Sequence, residues 1–384
     1  MTGDRRRVLV VVGTRPEAIK MAPVMRALEG HFPRVEPRLL LTGQHTDLVD
    51  DVLSTFELVP HWDLGIMKKG QSLTRVARDC LAGMENVVFE WHPEFVLVQG
   101  DTASAFMASL SSYFHGIATG HVEAGLRTGD LWRPFPEEAF RRMADVLADL
   151  HFAPTEGARD NLLREGIRPG QIHVTGNTVV DALLEVAQRG LPPASKVLQR
   201  LLAPGAPPFF LLTAHRRESF GAPIERIFAA MRSLVEDEGT VEIVVPVHPN
   251  PSVIEPAERL LRGHPRIHLI EPLSYPDLVA ALAGARGVLT DSGGIQEEAP
   301  TFGTPILVLR EVSERPEVIS AGLARLVGTD PALIVEGSKE LLRRSPEHRA
   351  RARRANPFGD GKAAERIAAL VEEFLLARGG SSAV

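Results

Sequence analysis

The chain has 384 residues, a formal net charge of −6 and one cysteine, Cys80. This charge argues against a nucleic acid as the main ligand, and a single cysteine excludes a disulfide framework or a multi-cysteine metal site. At about 150 residues per domain, the length predicts two domains. No apolar run approaches the ~18–20 residues that span a bilayer, and the run 8–12 is too short for a signal peptide. We therefore expect a cytoplasmic protein without a membrane partner.

Short apolar runs alternate with amphipathic stretches along the first half of the chain. Strands are predicted at residues 8–12, 38–42, 95–99, 117–122 and 172–174. Helices are predicted from Pro16 onward and at residues 46–56, 72–90, 102–113, 137–149 and 156–165. This alternation is typical of a doubly wound parallel sheet.

Proline-rich segments at 191–193 and 203–208 interrupt the pattern, which then restarts. Strands are predicted at residues 209–213, 241–245, 267–270, 287–290 and 306–309. Helices are predicted at residues 224–235, 255–262, 276–283, 295–301 and 363–378. The fold class is therefore α/β with two Rossmann-like domains, which we place at residues 1–177 and 178–362.

Ligands of open parallel sheets bind beyond the carboxyl ends of the strands. Polar motifs follow seven predicted strands and begin at Gly13, Gly43, Gly100, Glu123, Ala214, His248 and Asp291. Ser292, Gly293 and Gly294 precede a helix, where backbone N–H groups can bind phosphate, and Glu298 could hold ribose hydroxyls one turn later. The alternative is an ordinary strand–helix turn with Ser292 as the N-cap.

Three carboxylates, Asp101, Glu123 and Glu137, follow or flank these strands and could divide acid and base roles. Asp101 could instead cap the next helix, and Glu137 could simply favour a helical first turn. Glu123 has no evident structural role. Lys20 offers a point charge with a tunable pKa in an arginine-rich chain, although a solvated surface position is the alternative.

His215 lies beside two arginines, which an apolar pocket would not accommodate, and this favours a functional role. The histidines lack metal-site spacing, and there is no Asp-x-Asp, dinucleotide-binding glycine motif or Walker lysine. We therefore expect neither a metal nor a cofactor.

These motifs closely resemble those of the non-hydrolysing UDP-N-acetylglucosamine 2-epimerases. The matching segments are residues 13–23, 42–45, 99–102, 121–128, 136–138, 215–220, 246–251, 291–300 and 314–317. The resemblance implies a GT-B fold, with two domains facing a cleft and the C-terminal helix, 363–384, packing back on the first domain. It also implies a homodimer and a role in the synthesis of a cell-envelope polysaccharide: teichoic acid, capsule or common antigen.

The resemblance implies reversible conversion of UDP-N-acetylglucosamine to UDP-N-acetylmannosamine. UDP leaves by anti elimination as the C2 proton is removed, and syn re-addition to 2-acetamidoglucal follows. The implied catalytic residues are Asp101, Glu123, Glu137, His215 and Lys20. The implied substrate-binding residues are Arg15, Lys20, Asp101, Glu123, His215, Leu273, Leu278, Ser292, Gly293, Gly294, Glu298 and Arg315.

Many bacterial members of that family also bind UDP-N-acetylglucosamine as an allosteric activator. The matching positions here are Gln44, His45, Gln71 and Arg216. Some activated members have Gln where this chain has Asp47 and Arg where it has Gly70.

Three other readings stay open at this point. A hydrolysing epimerase would release UDP and N-acetylmannosamine. A GT-B glycosyltransferase would need an acceptor pocket. A UDP-sugar sensor would need no acids, which the intact Asp101, Glu123, Glu137 and His215 disfavour.

Overall fold

The computed structural model describes residues 5–43, 46–66, 68, 70–313 and 315–379. The chain forms two compact units, unit 1 (Met1–Ala182 with Phe358–Val384) and unit 2 (Leu183–Pro357). The domain limits at residues 177 and 362 stay predictions. Within the described residues, none of the helices combines the length and the apolar character that crossing a bilayer requires.

Unit 1 is built on a parallel sheet whose strands have short apolar sequences. The strands are β1 (Arg6–Val12), β2 (Val35–Leu41), β3 (Trp62–Asp63), β4 (Phe95–Gln99), β5 (Ala118–Val122), β6 (Leu150–Ala153) and β7 (Ile172–Val174). The helices are α1 (Arg15–His31), α2 (Thr46–Phe56), α3 (Leu73–Trp91), α4 (Ala103–Phe114), α5 (Glu137–Leu147), α6 (Glu156–Arg164) and α7 (Thr178–Gln188), which continues into unit 2.

The strand order in unit 1 is β3-β2-β1-β4-β5-β6-β7, with parallel pairing throughout the described strands. Residues 8–12 of β1 and 95–98 of β4 are almost completely buried, as expected for strands covered by helices on both faces. The order reverses between β1 and β4, so the loops after these strands diverge and leave a crevice at their carboxyl ends.

Unit 2 repeats this architecture. Its strands are β8 (Phe209–Thr213), β9 (Glu242–Pro246), β10 (Ile267–Ile270), β11 (Gly287–Thr290), β12 (Ile306–Val308) and β13 (Ala324–Leu326). Its helices are α8 (Lys196–Leu201), α9 (Ala222–Asp237), α10 (Pro251–Leu261), α11 (Tyr275–Gly284), α12 (Gly293–Glu298), α13 (Pro316–Ser320), α14 (Pro331–Arg343) and α15 (Pro346–Arg354). The order β10-β9-β8-β11-β12-β13 reverses between β8 and β11.

The last described helix, α16 (Ala363–Gly379), belongs to unit 1 and packs against α1. Phe374 makes an edge contact with Phe95 of β4, with ring centroids 5.4 Å apart. The carboxylate of Asp181 accepts the backbone N–H of Ala363 at 3.3 Å and of Ala364 at 2.9 Å, which caps the start of α16.

The predicted class of two doubly wound parallel sheets is confirmed. The sequence analysis did not predict β3, β6 and β13 or the helices α7 and α13 to α15. Helix α15 carries arginines in place of an apolar stripe. Helix α10 begins at Pro251 rather than residue 255, because the side chain of Asn250 accepts the N–H of Ser252 and caps it there.

Candidate active site

Glu123 follows β5 with a left-handed backbone, at φ = 67°. An L-residue rarely adopts this conformation, which costs of order 1–3 kcal/mol and is concentrated at functional sites. The N–H groups of Glu123 and Ala124 both bond to the carbonyl of Phe152 in β6, which fixes the turn. The turn places the Glu123 side chain, 7 % exposed, against Lys20 of α1.

Lys20 and Glu123 form a mostly buried ion pair. The Nζ of Lys20 lies 2.7 Å from each carboxylate oxygen of Glu123. Gln99, the last residue of β4, donates its side-chain amide to the same carboxylate. One carboxylate is thus held by two side chains, one from helix α1 and one from the end of β4.

Asp101 lies on the turn after β4 and pairs with Arg141 of α5. It does not cap α4. Thr102 does, since its Oγ1 accepts the N–H of Ala105 at 3.1 Å. The structural alternative for Asp101 is therefore wrong, and its carboxylate, 29 % exposed, stays at the crevice.

The two adjacent glutamates at the start of α5 differ in their surroundings. Glu138 is fully buried and binds the backbone N–H of Thr128 at 3.1 Å and Arg142 at 3.1 Å, so it is structural. Glu137 has one buried oxygen, Oε2, that finds no hydrogen-bond partner among the described residues. Glu137 lies one helical turn before Arg141, the partner of Asp101, on the same face of α5.

Glu17 is a buried carboxylate in the first turn of α1 that the sequence analysis did not single out. It accepts the N–H of Gly13 at 2.9 Å and the hydroxyl of Thr102 at 2.6 Å. Burial raises the pKa of Glu17 to about 7, although these hydrogen bonds favour its ionised form. At the helix start nearby, the Nε of Arg15 is buried without a hydrogen-bond partner in the described part of the chain.

In unit 2, Asp291 holds the loop that carries His215. The fully buried carboxylate accepts the N–H of His215 at 2.9 Å, the N–H of Arg216 at 2.9 Å and the hydroxyl of Ser219 at 2.8 Å. Burial lowers the pKa of His215; Asp291 opposes this shift, while His248 and Arg216 add to it. The ring of His248 stacks on that of His215 at 5.4 Å.

The turn after Asp291 leads from the end of β11 into the short helix α12. Ser292 is at the N-cap position of α12, but its side chain makes no capping hydrogen bond to the described residues. Arg216 lies close by, since a Cβ placed on Gly293 would be 3.5 Å from its Nη2. Gly294 is exposed, and Glu298 is half-buried at the end of α12.

Arg315 is oriented by side chains of the same short helix. Its Nε donates to Oε1 of Glu297 at 2.5 Å, and its backbone N–H donates to the hydroxyl of Ser313 at 3.0 Å. Ser313 in turn donates to Gln296 at 2.6 Å. Leu273 and Leu278, two of the substrate-binding residues that the resemblance implies, are half-buried before and within α11.

Two of the four predicted activator residues, Gln44 and His45, lie outside the described residues. Gln71 makes contacts within its own segment, accepting the N–H of Lys68 at 2.8 Å and donating to Asp79 at 3.2 Å. Arg216 lies in unit 2 beside Gly293.

Asp291→Asn is expected to destabilise unit 2 by about 2 kcal/mol, because an amide cannot accept all of these hydrogen bonds and would turn its own donors toward N–H groups. The variant should also raise KM for a ligand that His215 binds. Urea denaturation followed by circular dichroism measures the first effect. Asp330→Asn is the matched control, since asparagine also caps a helix, here α14, and should change stability by less than about 0.5 kcal/mol. Equal stability of the two variants would contradict the anchoring role of Asp291.

The sequence analysis gave no role to several residues that contact the candidate residues or lie near them: Glu17, Gln99 and Arg141 in unit 1, and Asp291 and His248 in unit 2. Each lies in or directly after a predicted strand or helix, so its polarity beside an apolar run was a usable signal for Gln99 and Asp291. Arg141 sits within a helix rich in charges, where nothing distinguishes it. The described residues contain no group of three His, Cys, Asp or Glu side chains arranged to hold a metal.

The sequence model described as UDP-N-acetylglucosamine 2-epimerase matches residues 26–372. The UDP-N-acetylglucosamine 2-epimerase of Salmonella typhimurium is 47 % identical over 374 residues, which cover 96 % of this chain and 99 % of that protein. A crystal structure of UDP-GlcNAc 2-epimerase from Neisseria meningitidis, bound to UDP-GlcNAc, is 41 % identical, with a TM-score of 0.85 and coverage of 96 % and 100 %. The structure of S. aureus MnaA with UDP is 42 % identical, with a TM-score of 0.85 and coverage of 97 % of each chain.

These similarities extend over nearly the whole chain and include both sheets. The GT-B fold expected from the sequence motifs is confirmed. The chain therefore belongs to the UDP-N-acetylglucosamine 2-epimerase family.

Proposed function

We propose that this protein interconverts UDP-N-acetylglucosamine and UDP-N-acetylmannosamine by epimerisation at C2 without net hydrolysis. The observation that carries the proposal is the placement of Asp101 and Glu123 directly after the neighbouring strands β4 and β5, with Lys20 against Glu123, and of Glu137 at the start of α5. Their environments differ: one is paired with lysine, one with arginine, and one has a buried oxygen without a partner among the described residues. Such differences let neighbouring carboxyl groups divide acid and base roles.

The reaction is a proton transfer coupled to loss of UDP. One carboxylate takes the C2 proton, the C2–H electron pair forms the C1=C2 double bond of 2-acetamidoglucal, and the C1–O electron pair leaves with UDP, anti to the proton. UDP then re-adds syn to C1, and an acid returns a proton to the opposite face of C2. Atoms and electrons balance without water, a metal or a redox cofactor.

Departure of UDP needs preorganised positive charge and N–H donors around the diphosphate. Arg15, His215, Arg315 and the backbone of residues 292–294 supply them in this proposal. Glu298 would hold the ribose, and Leu273 (through its backbone) and Leu278 would contact the uracil. The bound ligands of the Neisseria meningitidis and S. aureus relatives, UDP-GlcNAc and UDP, support a UDP-sugar as the substrate. The homodimer and the cytoplasmic location stay predictions.

Incubation with UDP-N-acetylglucosamine in D₂O tests this proposal. We expect UDP-N-acetylmannosamine to form and one deuterium to appear at C2, because the base exchanges its proton with solvent between removal and return. Unchanged, unlabelled sugar would contradict an epimerase mechanism. Chromatography of the nucleotides separates the hydrolysing alternative, in which free UDP accumulates in step with turnover.

We also propose that UDP-N-acetylglucosamine activates the enzyme as a second bound molecule; the described residues that support this are Gln71 of unit 1 and Arg216 of unit 2. With UDP-N-acetylmannosamine alone, the reverse reaction should show a lag that a trace of UDP-N-acetylglucosamine abolishes, since binding at one site raises the competence of the other. Progress curves recorded with and without the trace nucleotide measure this. Curves without a lag, unaffected by the addition, would eliminate the activator site.

A further inference from the structure

His121 lies in the middle of unit 1, in strand β5, and is completely buried. Its Nδ1 is 2.6 Å from the carboxylate of Asp145, and its Nε2 is 2.7 Å from the carbonyl oxygen of Gly100. A carboxylate and a carbonyl are both acceptors, so each ring nitrogen must carry a hydrogen. The geometry therefore requires the imidazolium form of His121.

Asp145 of α5 also forms hydrogen bonds with groups other than His121. Its second carboxylate oxygen, Oδ2, accepts a hydrogen bond from Nη2 of Arg127 at 2.7 Å and one from the backbone N–H of Gly125 at 3.3 Å. Arg127 in turn donates two hydrogen bonds to the carboxylate of Glu165, from Nε at 2.9 Å and from Nη2 at 2.7 Å. His121, Asp145 and Arg127 thus form one buried array of alternating positive and negative charges, referred to as the array.

The charges around His121 explain its protonation. Burial alone would lower the pKa of His121, but the charge of Asp145 and the hydrogen bonds to Asp145 and Gly100 raise it above its ordinary value, against the opposing charge of Arg127. Burial would likewise raise the pKa of Asp145, but His121, Arg127 and His151 hold it low. The pKa of His151, whose Nε2 lies 2.7 Å from the Asp145 carbonyl, is lowered by burial.

The array fastens the two turns that carry Asp101 and Glu123. His121 holds the carbonyl of Gly100, the residue before Asp101. Asp145 holds the N–H of Gly125, two residues after the left-handed Glu123. Gly125 is itself left-handed, at φ = 86°, and a Cβ there would meet the carbonyl of Ala158. Both turns are therefore bonded to one buried group that is too enclosed to touch a substrate.

We propose that His121 is a positioning residue for proton transfer: its imidazolium bonds the Asp101 turn to Asp145 and so fixes the directions of the Asp101 and Glu123 carboxylates. This inference rests on the proposed epimerase function. A misplacement of about 1 Å in a reacting group can cost about 100-fold in rate, so loss of this link should appear in kcat rather than KM.

Two neutral variants separate the two hydrogen bonds of His121. His121→Gln can place an amide donor near the position of Nε2 and keep the bond to Gly100, whereas His121→Asn reaches only as far as Nδ1 and Asp145. We expect His121→Asn to lower kcat by about 100-fold and His121→Gln by about 10-fold, with KM changed less than about threefold. His115→Gln, at the opposite end of α4, is the matched control and should keep the wild-type kcat.

The pH profile of kcat gives a readout that a purely structural role would not move. The link is present while His121 is protonated and is lost as the pH rises through its raised pKa. Asp145→Asn removes the carboxylate that raises this pKa, so the alkaline limb of kcat should shift to lower pH. Urea denaturation of each variant establishes the pH range in which it is folded, and rates are compared within that range.

The outcomes distinguish this inference from the function on which it rests. A wild-type protein that does not epimerise UDP-N-acetylglucosamine contradicts the proposed function. An active wild type with an unchanged kcat in His121→Asn, or with an alkaline limb that stays in place in Asp145→Asn, overturns the positioning role alone. A loss of kcat equal in the Asn and Gln variants also counts against the Gly100 bond.

Discussion

Glu123→Gln is expected to lower kcat about 1000-fold, the middle of the range for loss of a general acid or base. The amide has the shape of the carboxylate but can neither take the C2 proton nor carry the charge that faces Lys20. Deuterium incorporation at C2 should fall together with the rate of epimerisation. Exchange at C2 that continues at the wild-type rate would exclude Glu123 as the base or acid.

The same substitution disturbs the fold, and this effect must be separated from the chemistry. Removing one partner of a buried ion pair costs ~3–5 kcal/mol, because the other charge loses its compensation. The double variant Lys20→Met/Glu123→Gln removes both charges and should recover most of that stability while remaining inactive. Recovery of activity together with stability would show that Glu123 acts through folding.

Glu17→Gln is expected to change how the stability of unit 1 depends on pH. The pKa of Glu17 rises from its ordinary value of 4.5 to about 7 in the folded protein. Between these values the folded state holds a proton that the unfolded state has released. The contribution of Glu17 to stability is therefore fully present below about pH 4.5 and is lost as the pH rises to 7, in total by about 3 kcal/mol.

The measurement compares the two proteins across pH. The unfolding free energy of the wild type, relative to Glu17→Gln, should fall by ~1.4 kcal/mol per pH unit between about pH 5 and 7. All three tryptophans, Trp62, Trp91 and Trp132, lie in unit 1, so their fluorescence in urea titrations reports this unit. A constant difference across this range would contradict the raised pKa.

The sequence predicted the features of the fold and site that depend on local pattern. Buried strands of unit 1 such as β1 and β4 show as short apolar runs, and parallel strands bring the residues after their ends to one edge of the sheet. Asp101 and Glu123 were therefore identifiable as site candidates from their position in the chain.

Contacts between distant parts of the chain were not predictable in this way. Arg141 reaches Asp101 across 40 positions, and Asp145 reaches His121 across 24. The left-handed backbone of Glu123 could not be predicted from its residue type, because glutamate normally avoids this conformation. Whether Thr102 or Asp101 caps α4 was also undecided in the sequence, because both residue types are good N-caps and only the backbone geometry selects one.

The contact of α16 with α1 has a consequence for biosynthesis. Unit 1 contains residues from both ends of the described chain, with all of unit 2 in between. During translation, the contact of Phe374 with β4 and the hydrogen bonds of Asp181 to residues 363 and 364 therefore cannot form until unit 2 has been synthesised. All residues of unit 2 are synthesised before the last segment of unit 1. At that stage of translation the surface of unit 1 that α16 covers is still exposed. A chaperone is most useful at this stage, because exposed apolar surface promotes aggregation.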